Sequence, residues 1–245
     1  VNHYVECGHL FQSEYARSKL TALGVTGLML TDYIRDCYVD EPPASSARYP
    51  WIAYNAAKSS LGALLLARTG KFTLVPIRNM TAQEVRYTLS RCKMYIDFGT
   101  HPGRDRLPRE AALCRCLVVT GREGAAGNKR DIPIPAAYKL SIGELPQSAQ
   151  RLQAMMDDYE KNIGDFQAYF NSIHLQKEQF RQEVAGLAAA VETPAFHIGH
   201  RFVEPDADDF LLKQEVLQRE KDYLLFDLAS ALMSETGTDL LKRVS

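Results

Sequence analysis

Residues 93–120 read KMYIDFGTHPGRDRLPREAALCRCLVVT. The apolar runs at 93–98 and 117–120 predict two β-strands, and residues 108–114 predict a helix with a proline near its first turn. Two strands joined through a helix form a right-handed unit in which the strands are parallel. The loop at 99–107 combines glycines with arginines, which is typical of a backbone segment that a ligand approaches closely.

The same alternation of strand and helix patterns extends upstream of this stretch. Two more strands and two more helices are predicted there: strands over 51–54 and 72–76, and helices over 57–68 and 82–91. The second of these helices follows a capping box formed by Thr81 and Glu84. The resulting order predicts an α/β fold, a Rossmann-like parallel sheet with helices on both faces.

Composition divides the chain into three zones. We expect residues 1–45 to be the end of a preceding domain and a linker, 46–145 to be the Rossmann-like domain, and 146–245 to be a helical C-terminal extension. Apolar residues at three- and four-residue steps predict long helices over 146–190, followed by a loop over 193–209 and a last helix over 210–233. The apolar stripe of the long helices fits core packing or, as an alternative, a homo-oligomer or partner surface.

The overall composition excludes several classes of protein. The 245 residues include 29 basic and 30 acidic side chains, which gives a formal net charge of −1. This balance does not favour a nucleic-acid binder, and no apolar run approaches the ~20 residues that span a bilayer. Five scattered cysteines and the absence of a leader pattern in residues 1–10 predict a cytoplasmic protein with reduced thiols.

Charged residues and glycines are concentrated just after the predicted strands. The carboxyl ends of parallel strands meet at one edge of a sheet, where ligands bind in open α/β folds. The candidate site residues at this edge are Asn55, Lys58, His101, Gly103, Arg104, Arg106, Arg109, Glu110 and Gly121. Cations near helix N-termini suit a phosphate or diphosphate. Taken singly, each arginine also fits a solvated surface charge, Glu110 fits a partner of the helix dipole, and Asp97 fits an anchor for a loop backbone.

Other kinds of site are not predicted. Gly121, Gly124 and Gly127 do not have the spacing of the G-x-G-x-x-G fingerprint, and prolines rather than a helix follow them. We therefore expect no nicotinamide or flavin site. No group of His, Cys, Asp and Glu has the spacing of an established metal site, so neither a metal nor a cofactor is predicted.

Several motifs carry a resemblance to a known family. They are YIDFG at 95–99, HPG-x-DR-x-PREA at 101–111, and the shorter pieces Tyr54-Asn55…Lys58, Pro76–Thr81 and Ile132–Ile134. Together they resemble the C-terminal, nucleotide-sugar-binding domain of GT-B glycosyltransferases. More narrowly, they resemble a poorly characterised bacterial glycosyltransferase-like family, over residues 9–140.

The resemblance implies an activity and its partners. It implies that a sugar is transferred from a nucleotide-diphosphate sugar, such as a UDP-sugar, to an unknown acceptor in surface polysaccharide biosynthesis. The nucleotide sugar is then a substrate, and no cofactor is required. Such transfer needs stabilisation of a departing nucleoside diphosphate, which positioned cations supply without a metal.

The resemblance also implies roles for the residues at the strand ends. Glu110 is expected to bind the ribose and Lys58 the diphosphate, while the His101–Gly103 turn brings backbone amides towards the leaving group. The remaining expected roles are diphosphate clamps at Arg104 and Arg106, catalytic side chains at His101 and Arg109, and further nucleotide-sugar contacts at Asn55 and Gly121.

The chain departs from the family in two places. Many retaining GT-B enzymes carry a first glutamate eight positions before the one that Glu110 matches, and Pro102 stands there. The residues before the linker are also too few for a full acceptor domain. Three alternatives therefore stay open: a non-catalytic nucleotide-sugar-binding module, another enzyme of nucleotides or phosphosugars such as an epimerase, and a helix-mediated interaction protein on a Rossmann scaffold.

Overall fold

A four-stranded parallel sheet forms the centre of the protein, as seen in a computed structural model that describes residues 8–39 and 47–191. The strands are β1 (His9–Phe11), β2 (Gly27–Met29), β3 (Tyr49–Asn55), β4 (Thr73–Ile77), β5 (Cys92–Asp97) and β6 (Leu117–Thr120). The helices are α1 (Glu14–Thr21), α2 (Asp36–Val39), α3 (Ser60–Ala67), α4 (Ala82–Arg91), α5 (Arg106–Leu113), α6 (Leu145–Asp157), α7 (Tyr159–Asn162) and α8 (Gln167–Val191). The predicted α/β class is confirmed.

The order of the strands creates a crevice at one edge of the central sheet. The order is β4-β3-β5-β6 and every neighbouring pair is parallel, with Ile52 of β3 paired to Leu74 on one side and to Met94 on the other. The centres of the inner strands are apolar and buried, at Ile52–Ala53 and Met94–Ile96, because both of their faces are covered. Strand β4 is added on one side of β3, whereas β5 and β6 are added on the other side. The loops after β3 and β5 therefore flank a topological switch point, where ligands bind.

The predicted elements of the sheet region are confirmed, with shifts of a few residues at their ends. Helix α4 and strand β6 have the predicted bounds, and both hydrogen bonds of the capping box between Thr81 and Glu84 are present. Helix α3 begins three residues later than predicted, at Ser60. The delay arises because the Asn55 side chain accepts a hydrogen bond from the Ala57 amide, 3.1 Å away, and holds residues 56–59 in a turn.

The helices after the sheet supply much of the core. Their apolar stripe is buried against the sheet, through Leu152, Met156, Tyr159, Phe166, Tyr169 and Ile173. The stripe therefore packs in the core up to Ile173, which is the first of its two interpretations. Further along α8, Val184 is exposed. No helix in the two described ranges is long and apolar enough to cross a membrane.

Residues 8–39, called the N-terminal segment below, form a small β-α-β unit with its own two-stranded parallel sheet. Long-range hydrogen bonds attach this segment to the rest of the structure. The amides of Glu14 and Tyr15 donate to the Asp131 carboxylate at 2.9 and 2.8 Å, and Thr31 donates to Glu183 on α8. The middle of the predicted linker (40–46), the predicted loop at 193–209 and the predicted helix at 210–233 lie outside the described residues.

Candidate functional site

The loops after β3 and β5 meet at the switch point, as their positions in the sequence predicted. The Phe98 amide donates to the Ser59 hydroxyl at 2.9 Å, and Lys58 Nζ donates to both carboxylate oxygens of Asp105 at 3.0 and 3.1 Å. A Cβ on Gly99 would lie 2.6 Å from the Cβ of Lys58, so this approach requires glycine. We call the space between these two loops the switch-point crevice.

Alternating charges run from the core to the crevice. Tyr95 donates its hydroxyl to Asp97 at 2.8 Å, and His101 Nε2 lies 3.6 Å from the other Asp97 oxygen. On its far side, His101 Nδ1 lies 2.9 Å from Asp105, which in turn binds Lys58. Asp97 and His101 are almost completely buried, whereas the Lys58 side chain is 39% exposed. We call Asp97, His101, Asp105 and Lys58 the charge chain.

The charge chain shifts the pKa values of its members. Burial alone would lower the pKa of His101, but the contacts with Asp105 and Asp97 outweigh burial and raise it above its usual value. Burial would raise the pKa of Asp105, but His101 and Lys58 outweigh burial and lower it. Burial raises the pKa of Asp97, against its contacts with His101, Gly99 and Tyr95. The imidazolium form of His101 is therefore favoured in the folded protein.

The raised pKa of His101 links stability to pH. Its stabilising contribution is fully present below the unfolded value near 6.5 and is lost as pH rises through the higher folded value. We expect His101→Gln to remove the loss of stability with rising pH that His101 causes, because glutamine does not titrate. Thermal unfolding measured between about pH 5.5 and pH 8.5 should show it. The exposed His174→Gln is the matched control, and identical pH profiles for wild type and His101→Gln would contradict the assignment.

Arg109 is held by hydrogen bonds inside the protein. It is fully buried, and its guanidinium donates to the Asp32 carboxylate and carbonyl, to Gln176 Oε1, and to the carbonyls of Arg104 and Asp105. All five N–H donors are thus used inside the protein. In this structure Arg109 joins α5, α8 and the N-terminal segment, and its expected catalytic role stays a prediction.

The other predicted cations are divided between two places. Arg104 is buried and donates to the Asp32 carbonyl at 3.2 Å, so it is held against the N-terminal segment. Gly103 packs against Gln12 of the same segment, and Arg106 is exposed at the start of α5. Of the predicted cationic side chains at the carboxyl edge of the sheet, Lys58 and His101 are therefore the two that Asp105 joins. The clamp roles of Arg104 and Arg106 stay predictions.

Asn55 and Gly121 lie at the strand ends as predicted, whereas Glu110 is the fifth residue of α5 and not in its first turn, because the helix begins earlier than predicted. Burial raises the pKa of Glu110, and Arg106, Arg109 and Arg35 oppose this rise only in part. Within residues 8–39 and 47–191, the half-buried Glu110 carboxylate forms no hydrogen bond or ion pair. Gly121 donates its amide to the Asp97 carbonyl at 3.0 Å. The role of Glu110 in ribose binding stays a prediction.

Three residues that bind the side chains of predicted site residues were not among the candidates: Asp105, Asp32 and Gln176. The Asp-x-x-x-His-x-x-x-Asp spacing of 97, 101 and 105 was visible in the sequence and could have indicated the charge chain. The role foreseen for Asp97 is present, since its carboxylate accepts from the Gly99 amide at 3.1 Å. Asp32 and Gln176 lie 77 and 67 residues from Arg109, and no local pattern reveals such pairs.

The charge chain also contains the residues best placed to hold a metal ion. Ligand atoms of Asp97, His101 and Asp105 lie within 4.8 Å of one another, the one such group in the described part of the chain. Lys58 already contacts both oxygens of Asp105, and its charge opposes a cation there. Chemistry without a metal stays a prediction from the sequence.

The comparison with solved structures identifies the fold. No protein-family model matches the chain, and no curated protein matches it either. Among solved structures, TarM superposes with a TM-score of 0.56 at 10% identity, over 76% of this chain and 43% of TarM. Anabaena Alr3699/HepE, solved in complex with UDP-glucose, superposes with a TM-score of 0.53 at 12% identity, over 77% of this chain and 66% of HepE.

A third structure is AviGT4, a glycosyltransferase involved in avilamycin A biosynthesis, with a TM-score of 0.48 and 15% identity over 72% of this chain and 63% of AviGT4. The chain thus spans from about two-fifths to just under two-thirds of the length of these proteins. The parallel sheet, its helices and the superpositions with TarM and HepE together show that the chain has the fold of a GT-B glycosyltransferase-like domain.

Proposed function

We propose that this chain binds a nucleotide-diphosphate sugar in the switch-point crevice and takes part in transfer of the sugar to an acceptor. The observation that carries the proposal is a positive charge beside two helix N-termini without side-chain caps. Ser59 precedes α3 and Asp105 precedes α5, but neither side chain caps its helix. Instead, Ser59 accepts from Phe98, and Asp105 binds Lys58 and His101.

These features match what a diphosphate requires. The first amides of a helix carry a partial positive charge and bind phosphate oxygens readily. Lys58 adds a full charge on a side chain that remains partly exposed. Asp105 holds the Lys58 ammonium at the mouth of the crevice, so that a diphosphate would share or take over this contact. The structure of Alr3699/HepE with UDP-glucose supports a nucleotide sugar as the ligand class.

The chemistry follows from this arrangement. In glycosyl transfer, the bond between the anomeric carbon and the diphosphate oxygen breaks, and its electron pair stays with the diphosphate. Negative charge therefore grows on the leaving group in the transition state. Fixed donors aimed at that charge lower the barrier, because they need no reorganisation during the reaction. Lys58 and the start of α3 and α5 would supply these donors, and Glu110 would hold the ribose.

Nucleotide binding is the first test of the proposal. Calorimetric titration with UDP, GDP, ADP and CMP, and with UDP-glucose, should identify one preferred nucleotide. Lys58→Ala should weaken its binding by roughly tenfold to a hundredfold, since a hydrogen bond to a charged group contributes about 1.5–3 kcal/mol. Lys71→Ala is the matched control, because Lys71 is exposed and precedes β4 at the opposite edge of the sheet. Equal losses in both variants, or no binding to the wild type, would contradict the proposal.

A second candidate function is a nucleotide-sugar-binding module without catalysis. The internal hydrogen bonds of Arg109 favour this candidate, since a catalytic side chain needs donors that are free to contact the substrate. The two candidates separate in one assay on the preferred UDP-, GDP- or ADP-sugar. Release of the nucleoside diphosphate with turnover indicates an enzyme, whereas tight binding without release indicates a binding module.

A further inference from the structure

Three buried side chains lack the partners that their donor groups require. Arg104, Lys139 and Tyr169 are 7%, 7% and 0% exposed. Arg104 Nε, Lys139 Nζ and Tyr169 Oη have no hydrogen-bond partner in the described ranges, and neither cation forms an ion pair there. Buried polar atoms are nearly always hydrogen-bonded, so three unpaired donors in one region are exceptional.

The three side chains come from separate elements near one edge of the sheet. Arg104 lies in the loop after β5, and Tyr169 lies on α8. Lys139 lies beside the end of β6, because it forms a parallel bridge with Thr120 and the next amide donates to the Thr120 carbonyl at 3.0 Å. This is the carboxyl edge of the sheet, which is the edge where α/β folds bind ligands.

Asp131 is the charged group that all three share. Its carboxylate is close enough to interact electrostatically with Arg104, Lys139 and Tyr169. Both of its oxygens, however, already accept hydrogen bonds from the amides of Glu14 and Tyr15. Asp32 and Glu183 also act on Arg104, whereas Lys139 has Asp131 as its opposing charge and Lys129 as a repelling one. The cluster therefore keeps three unused donors, two of them on cationic side chains.

Keeping these cations buried costs free energy. Burial lowers the pKa of Lys139, with repulsion from Lys129 adding to the effect, and burial and Arg109 lower the pKa of Arg104. Water can bond to the donors but does not neutralise the charge. An oxyanion does both, since guanidinium, ammonium and hydroxyl groups are the usual partners of phosphate oxygens.

We propose that Arg104, Lys139 and Tyr169 form an oxyanion site for a phosphate group of a ligand, separate from the switch-point crevice. Asp131 fixes the start of α1 on one side of this site and limits its net charge, which favours a single phosphate group. The site does not depend on Lys58 or on the charge chain. It can hold a phosphate of the nucleotide sugar or the phosphate of a second, phosphorylated substrate.

Inorganic phosphate is the probe for this site. Added at millimolar concentrations against chloride of equal ionic strength, it should raise the melting temperature of the wild-type chain. Lys139→Met should lose the response, with a phosphate affinity lower by roughly tenfold to a hundredfold. Without phosphate, the melting temperature of Lys139→Met should equal or exceed that of the wild type, because an unpaired buried charge has been removed. Tyr169→Phe should show a smaller loss of affinity.

Two further variants distinguish this site from other anion-binding positions on the protein. Lys71→Met, at the amino edge, should keep the phosphate response, and Lys58→Ala tests whether the anion binds in the crevice instead. The proposal is overturned if phosphate does not stabilise the wild type, if Lys139→Met responds as the wild type does, or if Lys58→Ala abolishes the response. The last result would place the anion in the crevice.

The source of the phosphate follows from two more probes. If Lys139→Met weakens binding of UDP, the site holds a phosphate of the nucleotide. If it weakens binding of glucose 1-phosphate and leaves UDP binding unchanged, the site serves a second, phosphorylated substrate. Failure of nucleotide binding at Lys58 leaves the inorganic phosphate result unaffected, so the two proposals are tested separately.

Discussion

Arg109→Met should lower the free energy of unfolding by about 3 kcal/mol, because removing one partner of a buried ion pair leaves the other groups unpaired. Arg109 is fully buried, and its loss would leave Gln176 Oε1 and the Arg104 and Asp105 carbonyls without a donor. Asp32 is partly exposed and can regain water, which keeps the loss at the lower end of the range for such pairs. Urea unfolding would measure the change, and the melting temperature should fall by roughly 6–12 °C.

Arg106→Met provides the matched control for this change. Arg106 lies on the same helix but is exposed, so its replacement should change stability by no more than about 0.5 kcal/mol. Asp32→Asn should show part of the Arg109 effect, because the amide keeps one acceptor for the guanidinium. If Arg109→Met and Arg106→Met were equally stable, Arg109 would not join the N-terminal segment to α5 and α8 in solution.

The contrast between Arg109 and Lys58 shows how far the sequence could predict the site. Both were placed correctly at the strand ends, because hydrophobic runs locate strands and parallel strands share one carboxyl edge. Which cation faces a ligand depends on partners distant in sequence. Asp32 and Gln176 hold Arg109 in the interior, whereas Asp105, 47 residues away, holds Lys58 at the crevice.

The same distinction applies to the fold. The bounds of α4 and β6 were predicted correctly, since a capping box and a short apolar run are local signals. The small sheet of β1 and β2 was not predicted, because each strand has only three residues. Its position depends on long-range contacts such as those of Asp131 with Glu14 and Tyr15. The periodicity of apolar residues does not predict side-chain partners that lie more than a hundred residues apart.

Gly124 illustrates a residue whose importance is conformational rather than chemical. In the sequence it belongs to a glycine series that does not match a dinucleotide fingerprint. In the structure it has a φ of +61°, and a Cβ at this position would overlap the carbonyl oxygen of His101. The next amide, that of Ala125, donates to the same carbonyl at 2.8 Å. Gly124 therefore lets the loop after β6 pack directly on the backbone of the charge chain.

Gly124→Ala should destabilise the protein by about 2–5 kcal/mol, which combines left-handed backbone strain with the overlap at His101. Gly70→Ala is the matched control: Gly70 has a φ of +65°, but nothing lies within 4 Å of its Cβ position. It should cost only the backbone strain, about 1–2 kcal/mol. Chemical unfolding of the two variants gives the contribution of the close packing at His101 as the difference between their losses of stability. Equal losses would show that the loop after β6 moves aside at little cost.

Gly124→Ala should also weaken nucleotide binding, whereas Gly70→Ala should leave it unchanged. Displacing the His101 backbone moves its imidazole away from Asp105, and Asp105 is the residue that holds Lys58 at the crevice. Where the variant remains folded, at low temperature, nucleotide affinity should therefore fall in the same direction as in Lys58→Ala. An unchanged affinity in a folded but destabilised Gly124→Ala protein would mean that Lys58 binds the diphosphate without help from the charge chain.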